Sequence, residues 1–151
     1  MSNPAKSPLQ QILAELRSTD KGQRRTAVIK LGLIGSDEAL QQLMFTLEND
    51  NEDLIVRSRA ALMLGKIGDT RAYGSLVRAL NAPGYKTRLN AVEALGKLGD
   101  DRAIQPLLHM ATHSSDNILI AVYQALDLLG YKGETTAESN PPEEKLPQAD
   151  F

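Results

Sequence analysis

Apolar side chains along residues 24–113 recur three and four positions apart, break at a Gly-x-x-Gly step, and then start again. Ala27, Leu31 and Ile34 lead into Gly35, and Ala39, Leu40, Leu43 and Leu47 follow it. The same columns read Ala60, Leu64 and Ile67, then Ala72, Tyr73, Leu76 and Leu80, around Gly68. They read Ala91, Leu95 and Leu98, then Ala103, Ile104, Leu107 and Ala111, around Gly99. Such spacing predicts an amphipathic helix on either side of each glycine step. Gly68 follows Gly35 by 33 residues and Gly99 follows Gly68 by 31, and a degenerate copy, LIAVYQALDLLG, ends at Gly130 after another 31. A period of this length marks an array of helical repeats.

The steps themselves assign roles. The second glycine of each (Gly35, Gly68, Gly99, Gly130) follows the last apolar position, where a left-handed residue commonly ends a helix. Ser36, Asp69 and Asp100 come next and suit the N-cap of the following helix. The first glycine (Gly32, Gly65, Gly96) lies inside a helix at a cost of about 1 kcal/mol against alanine, so a close helix–helix approach is expected there. In the last copy Asp127 takes that place, as expected where a stack closes. A hairpin of two such helices cannot bury its apolar face alone, whereas stacked hairpins can.

The expected fold is therefore all-α: an α-solenoid of stacked antiparallel helix pairs, about eight helices in all. It occupies residues 1–131, with a capping helix at 8–18, repeats at about 20–49, 51–81 and 84–113, and a partial unit at 115–131. The first helix reads as an orphan second helix and the last as a polar-leaning closing helix, so the stack reads as complete. Pro106 should bend its helix or mark a late start.

Composition narrows the function. The chain has no cysteine, which excludes disulfides, thiolate metal sites and a cysteine nucleophile. No stretch is long and apolar enough to cross a bilayer and the N-terminus has no apolar signal core, so a soluble, cytoplasmic protein is expected. Residues 132–151 hold two lysines and five acids, a charge of −3, which leaves +1 on residues 1–131 from the total of −2. That balance argues against nucleic acid. The same segment, with three prolines, reads as a disordered acidic tail, either solubilising or docking through Phe151. The Gly-x-x-Gly steps are not phosphate loops, because no Gly-Lys-Ser/Thr motif or preceding strand accompanies them.

The pattern Arg-x-x-Ala-x-x-x-Leu-Gly-x-Ile/Leu-Gly-Asp-x-x-Ala, clear from Arg57 to Leu80 and from Arg88 to Leu107, resembles the HEAT-like repeat of the phycobilisome lyase type. The resemblance spans about residues 20–130. It implies a right-handed solenoid and two kinds of work. One is a non-enzymatic adaptor or chaperone-like scaffold acting on a phycobiliprotein or a second HEAT-like subunit. The other is a subunit of a bilin lyase or isomerase, which would bind a bilin and need a second, similar subunit; no other cofactor is expected. The di-iron hydroxylases among HEAT-like proteins carry repeated His-Glu pairs, and this chain has none.

Candidate residues fall into three groups. Arg24, Arg57 and Arg88 recur at one position and should form a structural ladder, bonded to acids or carbonyls of neighbouring repeats, with Asp20 and Asp53 capping the helices. Second helices usually line the concave side of a solenoid, so Glu38, Gln42, Phe45, Arg71, Ser75, Arg78, Arg102 and His109 are the expected partner-binding residues. There an exposed Phe45 would act as an anchor and the arginines would meet carboxylates. His109 and His113, four apart, are the weak candidates for a metal, with two surface histidines the better reading. No catalytic residue is assigned.

Overall fold

The computed structural model describes residues 4–114 and 116–133, so the predicted tail lies outside the described residues from 134 onward. Its helices are α1 (Pro8–Leu16), α2 (Lys21–Ile34), α3 (Asp37–Glu48), α4 (Leu54–Ile67), α5 (Tyr73–Ala79), α6 (Tyr85–Leu98), α7 (Ile104–His113) and α8 (Asp116–Leu128). Short 3-10 turns at Thr70–Ala72 and Asp101–Ala103 lead into α5 and α7. No strand occurs among the described residues.

The local chemistry follows the repeat. Gly35, Gly68 and Gly99 end α2, α4 and α6 with φ of 61°, 71° and 70°, the left-handed region that glycine enters without strain. Ser36 then accepts from the Ala39 N–H, Asp69 from that of Arg71, and Asp100 from that of Arg102. Asp20 and Asp53 cap α2 and α4. Pro106 sits in the first turn of α7, which starts late, after its 3-10 turn.

Leu31, Leu40, Leu43, Leu47, Leu64, Leu76, Leu95 and Leu107 fill the core between the two helix layers. Ile34 departs from its column: it is exposed, whereas its counterpart Leu98 is buried. The last helix leans polar only in part, since Gln124 and Asp127 share its exposed side with apolar residues. Val122 and Leu126 are buried, but Ile120, Tyr123 and Leu128 are exposed. Tyr123 holds the position of the buried Val28, Ala61 and Val92, and no described element packs beyond it.

Curvature follows from how closely each layer stacks. In the layer of α2, α4, α6 and α8, the interior glycines bring successive backbones together. A Cβ on Gly65 would lie 2.8 Å from that of Ala94, and one on Gly96 would lie 2.9 Å from the Ala125 Cα. In the other layer α3 and α5 meet over less of their length, and α5 and α7 over less still. A cleft of about 600 Å³ opens between α5 and α7, lined by Val77, Leu80, Gln105, Pro106 and His109. A two-layer stack bends toward its more closely spaced layer. The first helices are therefore expected on the inner side of the curve, where the sequence led us to expect the second helices.

Candidate functional site

The second-helix layer carries the residues expected to bind a partner, and most of their charge is already matched. Arg71 donates to Asp69 at 2.7 Å and to Asp37 at 2.8 Å, Arg102 donates to Asp100 at 2.6 Å, and Arg78 pairs with Glu48. Arg102 also stacks over the Tyr73 ring, 4.1 Å from its centroid. Ser75 is 5% exposed and its hydroxyl donates to Glu48 at 3.1 Å, so burial removes it from the candidate surface. Glu38 is exposed and Gln42 half-buried. Phe45, at 66% exposure, stands alone as the exposed large apolar side chain of this layer. Single exposed apolar residues are ordinary on protein surfaces.

His109 and His113 come together as a stack, with ring centroids 4.3 Å apart, and His113 Nδ1 lies 2.8 Å from the His109 carbonyl. Stacked rings do not converge on one ion. No group of three His, Cys, Asp or Glu side chains fit to hold a metal occurs among the described residues.

The arginine ladder is tied to main chain. Arg24 donates to the carbonyls of Ser18 and Thr19 and pairs with Glu52 of the next repeat at 3.0 Å. Arg57 donates to the Leu47 carbonyl at 3.0 Å and Arg88 to that of Ala82 at 3.0 Å. Each arginine thus fastens its helix to the segment before it.

Asp53 joins two repeats. It caps α4 through the Val56 N–H at 3.2 Å and accepts two bonds of 2.9 Å from Arg25 on α2. The Arg25 guanidinium, helped by main-chain donors, holds its carboxyl down to about 2. Asp69 is likewise held at about 2, chiefly by Arg71. A carboxylate depressed by folding stabilises fully above its unfolded pKa of about 4, and that stability is lost as pH falls through the folded value. We therefore expect the melting temperature to fall between about pH 4 and pH 2, and Asp53→Asn to lose part of that dependence in calorimetric scans across the range.

Sequence reasoning passed over the inner face of α2, α4, α6 and α8. Leu54, Ile55, Tyr85 and Ile120 are 49%, 43%, 43% and 67% exposed there, beside the half-buried Ile29, Leu62 and Leu89. A groove of about 550 Å³ runs between α4 and α6, with Leu54, Ile55, Leu62 and Tyr85 as its apolar lining and Arg59 and Lys86 as its charges. The Arg59 Nη1 donates to the Arg25 carbonyl at 3.1 Å, and the Tyr85 hydroxyl donates to that of Asn117 at 3.3 Å. Among the described residues, Arg59, Lys66, Lys86 and Lys97 make no ion pair. The signal was present in the sequence: Leu54-Ile55 opens a helix directly after its aspartate cap, on the side away from the core columns.

Paired helices, a period of 31–33 residues, glycine-ended first helices and an arginine ladder define a helical-repeat solenoid. The HEAT-repeat family profile matches residues 8–85 and 75–138, and the chain belongs to that family. Among solved structures it is similar to the complex of CpcE and CpcF of phycocyanin lyase from Nostoc sp. PCC7120. That match has 26% identity and a TM-score of 0.69 over 86% of this chain and 56% of the other. The repeats are thus HEAT-like repeats of the phycobilisome lyase type, and the chain spans little more than half the length of that relative. An engineered protein shares the fold, at 18% identity and a TM-score of 0.58 over 82% of this chain and 63% of that one. No match was found among curated proteins. No helix among the described residues is long and apolar enough to cross a membrane.

Proposed function

We propose that this protein is a non-enzymatic scaffold that holds another protein on the inner face of its first helices. The observation that carries this reading is the run of exposed apolar side chains on that face, bordered by cations that no acid of the described residues neutralises. Contiguous exposed apolar surface of this kind marks an interaction site. A phycobiliprotein or a second HEAT-like chain fits the partner's place, since the similar lyase structure is itself a complex of two chains. The test is capture of the native partner by purified chain carrying Ile55→Glu or Phe45→Glu. Ile55→Glu is expected to lower capture about tenfold or more, which corresponds to about 1.4 kcal/mol of binding. Phe45→Glu should leave it unchanged, and the reverse order would defeat the reading.

The likeness to phycocyanin lyase favours a second reading, that of a bilin lyase subunit. Arg59 and Lys86 would then face the pigment's carboxylates across the α4–α6 groove. Mixing the chain with a bilin should shift the visible absorption, and covalent transfer to an apo-phycobiliprotein should follow. Absence of both would remove this reading.

A further inference from the structure

We propose that the inner face takes an acidic amphipathic helix of the partner, laid across the stack rather than along its helices. This rests on the scaffold reading and gives the partner's chemistry. Ile29 and Leu62 share one register on α2 and α4, and Leu89 and Ile120 lie one turn earlier on α6 and α8, so one apolar side chain on each helix forms a band that crosses all four obliquely, with the exposed Glu93 as the acid beside it on α6. Axes of packed helices lie about 8–10 Å apart. A docked α-helix turns the same face down every seven residues, about 10 Å along its axis. One anchor per two turns of the docked helix therefore meets one receiving side chain per helix of the stack. An extended strand covers that distance in about three residues, an odd number that turns the next side chain to the opposite face.

Charge fixes the rest. Arg59 and Lys86 border the band on the side of the helix N-termini and Lys66 on the other, all unpaired among the described residues. The flanks of the docked helix are therefore acidic. A phosphate backbone would satisfy the cations but has no group to cover the isoleucines and leucines.

The experiment is fluorescence anisotropy of the full chain with three labelled peptides of about 22 residues, three heptads each. The first carries leucine at heptad spacing with glutamate flanks, the second the same residues with the apolar period broken, and the third lysine in place of glutamate. The first should bind saturably and the second about tenfold or more weakly. The third should not bind, and added salt should weaken the first. Ile120→Glu, at the exposed member of the band and checked for folding by circular dichroism, should weaken the first peptide about tenfold, and Phe45→Glu should not. Equal binding of the first two peptides, no saturable binding, or tighter binding of a single-stranded oligonucleotide overturns the proposal. If the cellular partner is lost with Ile55→Glu while the heptad peptide fails to bind, the helical ligand is wrong and the scaffold reading stands.

Discussion

Gly65→Val should lower the unfolding free energy by about 3 kcal/mol, at the upper end of what overpacking costs. A Cβ at this position would stand 2.8 Å from the Ala94 Cβ and 2.9 Å from its Cα. A neighbouring helix backbone cannot swing aside as a side-chain tip can, so α4 and α6 must move apart along the layer that sets the curvature. Valine's advantage over glycine in helix propensity, a few tenths of a kcal/mol, does not offset this. Gly74→Ala gives the opposite sign. Its Cβ would meet only the Arg78 Nη2 at 4.0 Å, so the substitution should stabilise by about 0.5 kcal/mol. Urea titration followed by circular dichroism reads both. If Gly65→Val unfolds at the wild-type midpoint, the interior glycines are not packing contacts.

Arg57→Ala is the second large effect, a loss of about 2–4 kcal/mol. Arg57 is 4% exposed, and its Nε–H is the donor to the Leu47 carbonyl at the end of α3. Truncation strands that carbonyl and opens a cavity between the repeats. Its Nη1 has no partner among the described residues, so removing that orphan returns part of the loss. Arg78→Ala gives the contrast. Arg78 is exposed and pairs with Glu48 at the surface, so its removal should cost less than about 1 kcal/mol. Equal thermal shifts for the two variants would show that the ladder is not what fastens the repeats.

The fold was legible because repetition multiplies weak signals. One Gly-x-x-Gly is ambiguous, but three in phase with buried leucines and capping Ser or Asp residues admit only stacked helix pairs. The packing role of Gly32, Gly65 and Gly96 could be read from their cost inside a helix, and the contacts to Met63, Ala94 and Ala125 account for that cost. The face we propose was passed over for a specific reason. Which layer of a solenoid lies inside the curve depends on relative interhelical spacing, and the two layers share one hydrophobic period. The close-packing glycines, Gly32, Gly65 and Gly96, fall only in the first helices, and that asymmetry could have pointed to the inner layer. Arg71, Arg78 and Arg102 looked available because their acidic partners are close in sequence only for Asp69 and Asp100, while Asp37 and Glu48 come from a different repeat. The stacking of His109 on His113 depends on rotamers, which spacing does not determine.

The central claim is that the inner face of α2, α4, α6 and α8 holds a protein partner. It is tested most directly by placing a photo-crosslinking side chain at position 55 in one sample and at position 45 in another. Both are irradiated in extract of the native organism. A discrete adduct from position 55, absent when the Lys86→Glu change is added, is the predicted result. An adduct from position 45 alone, or none from position 55, would contradict the account.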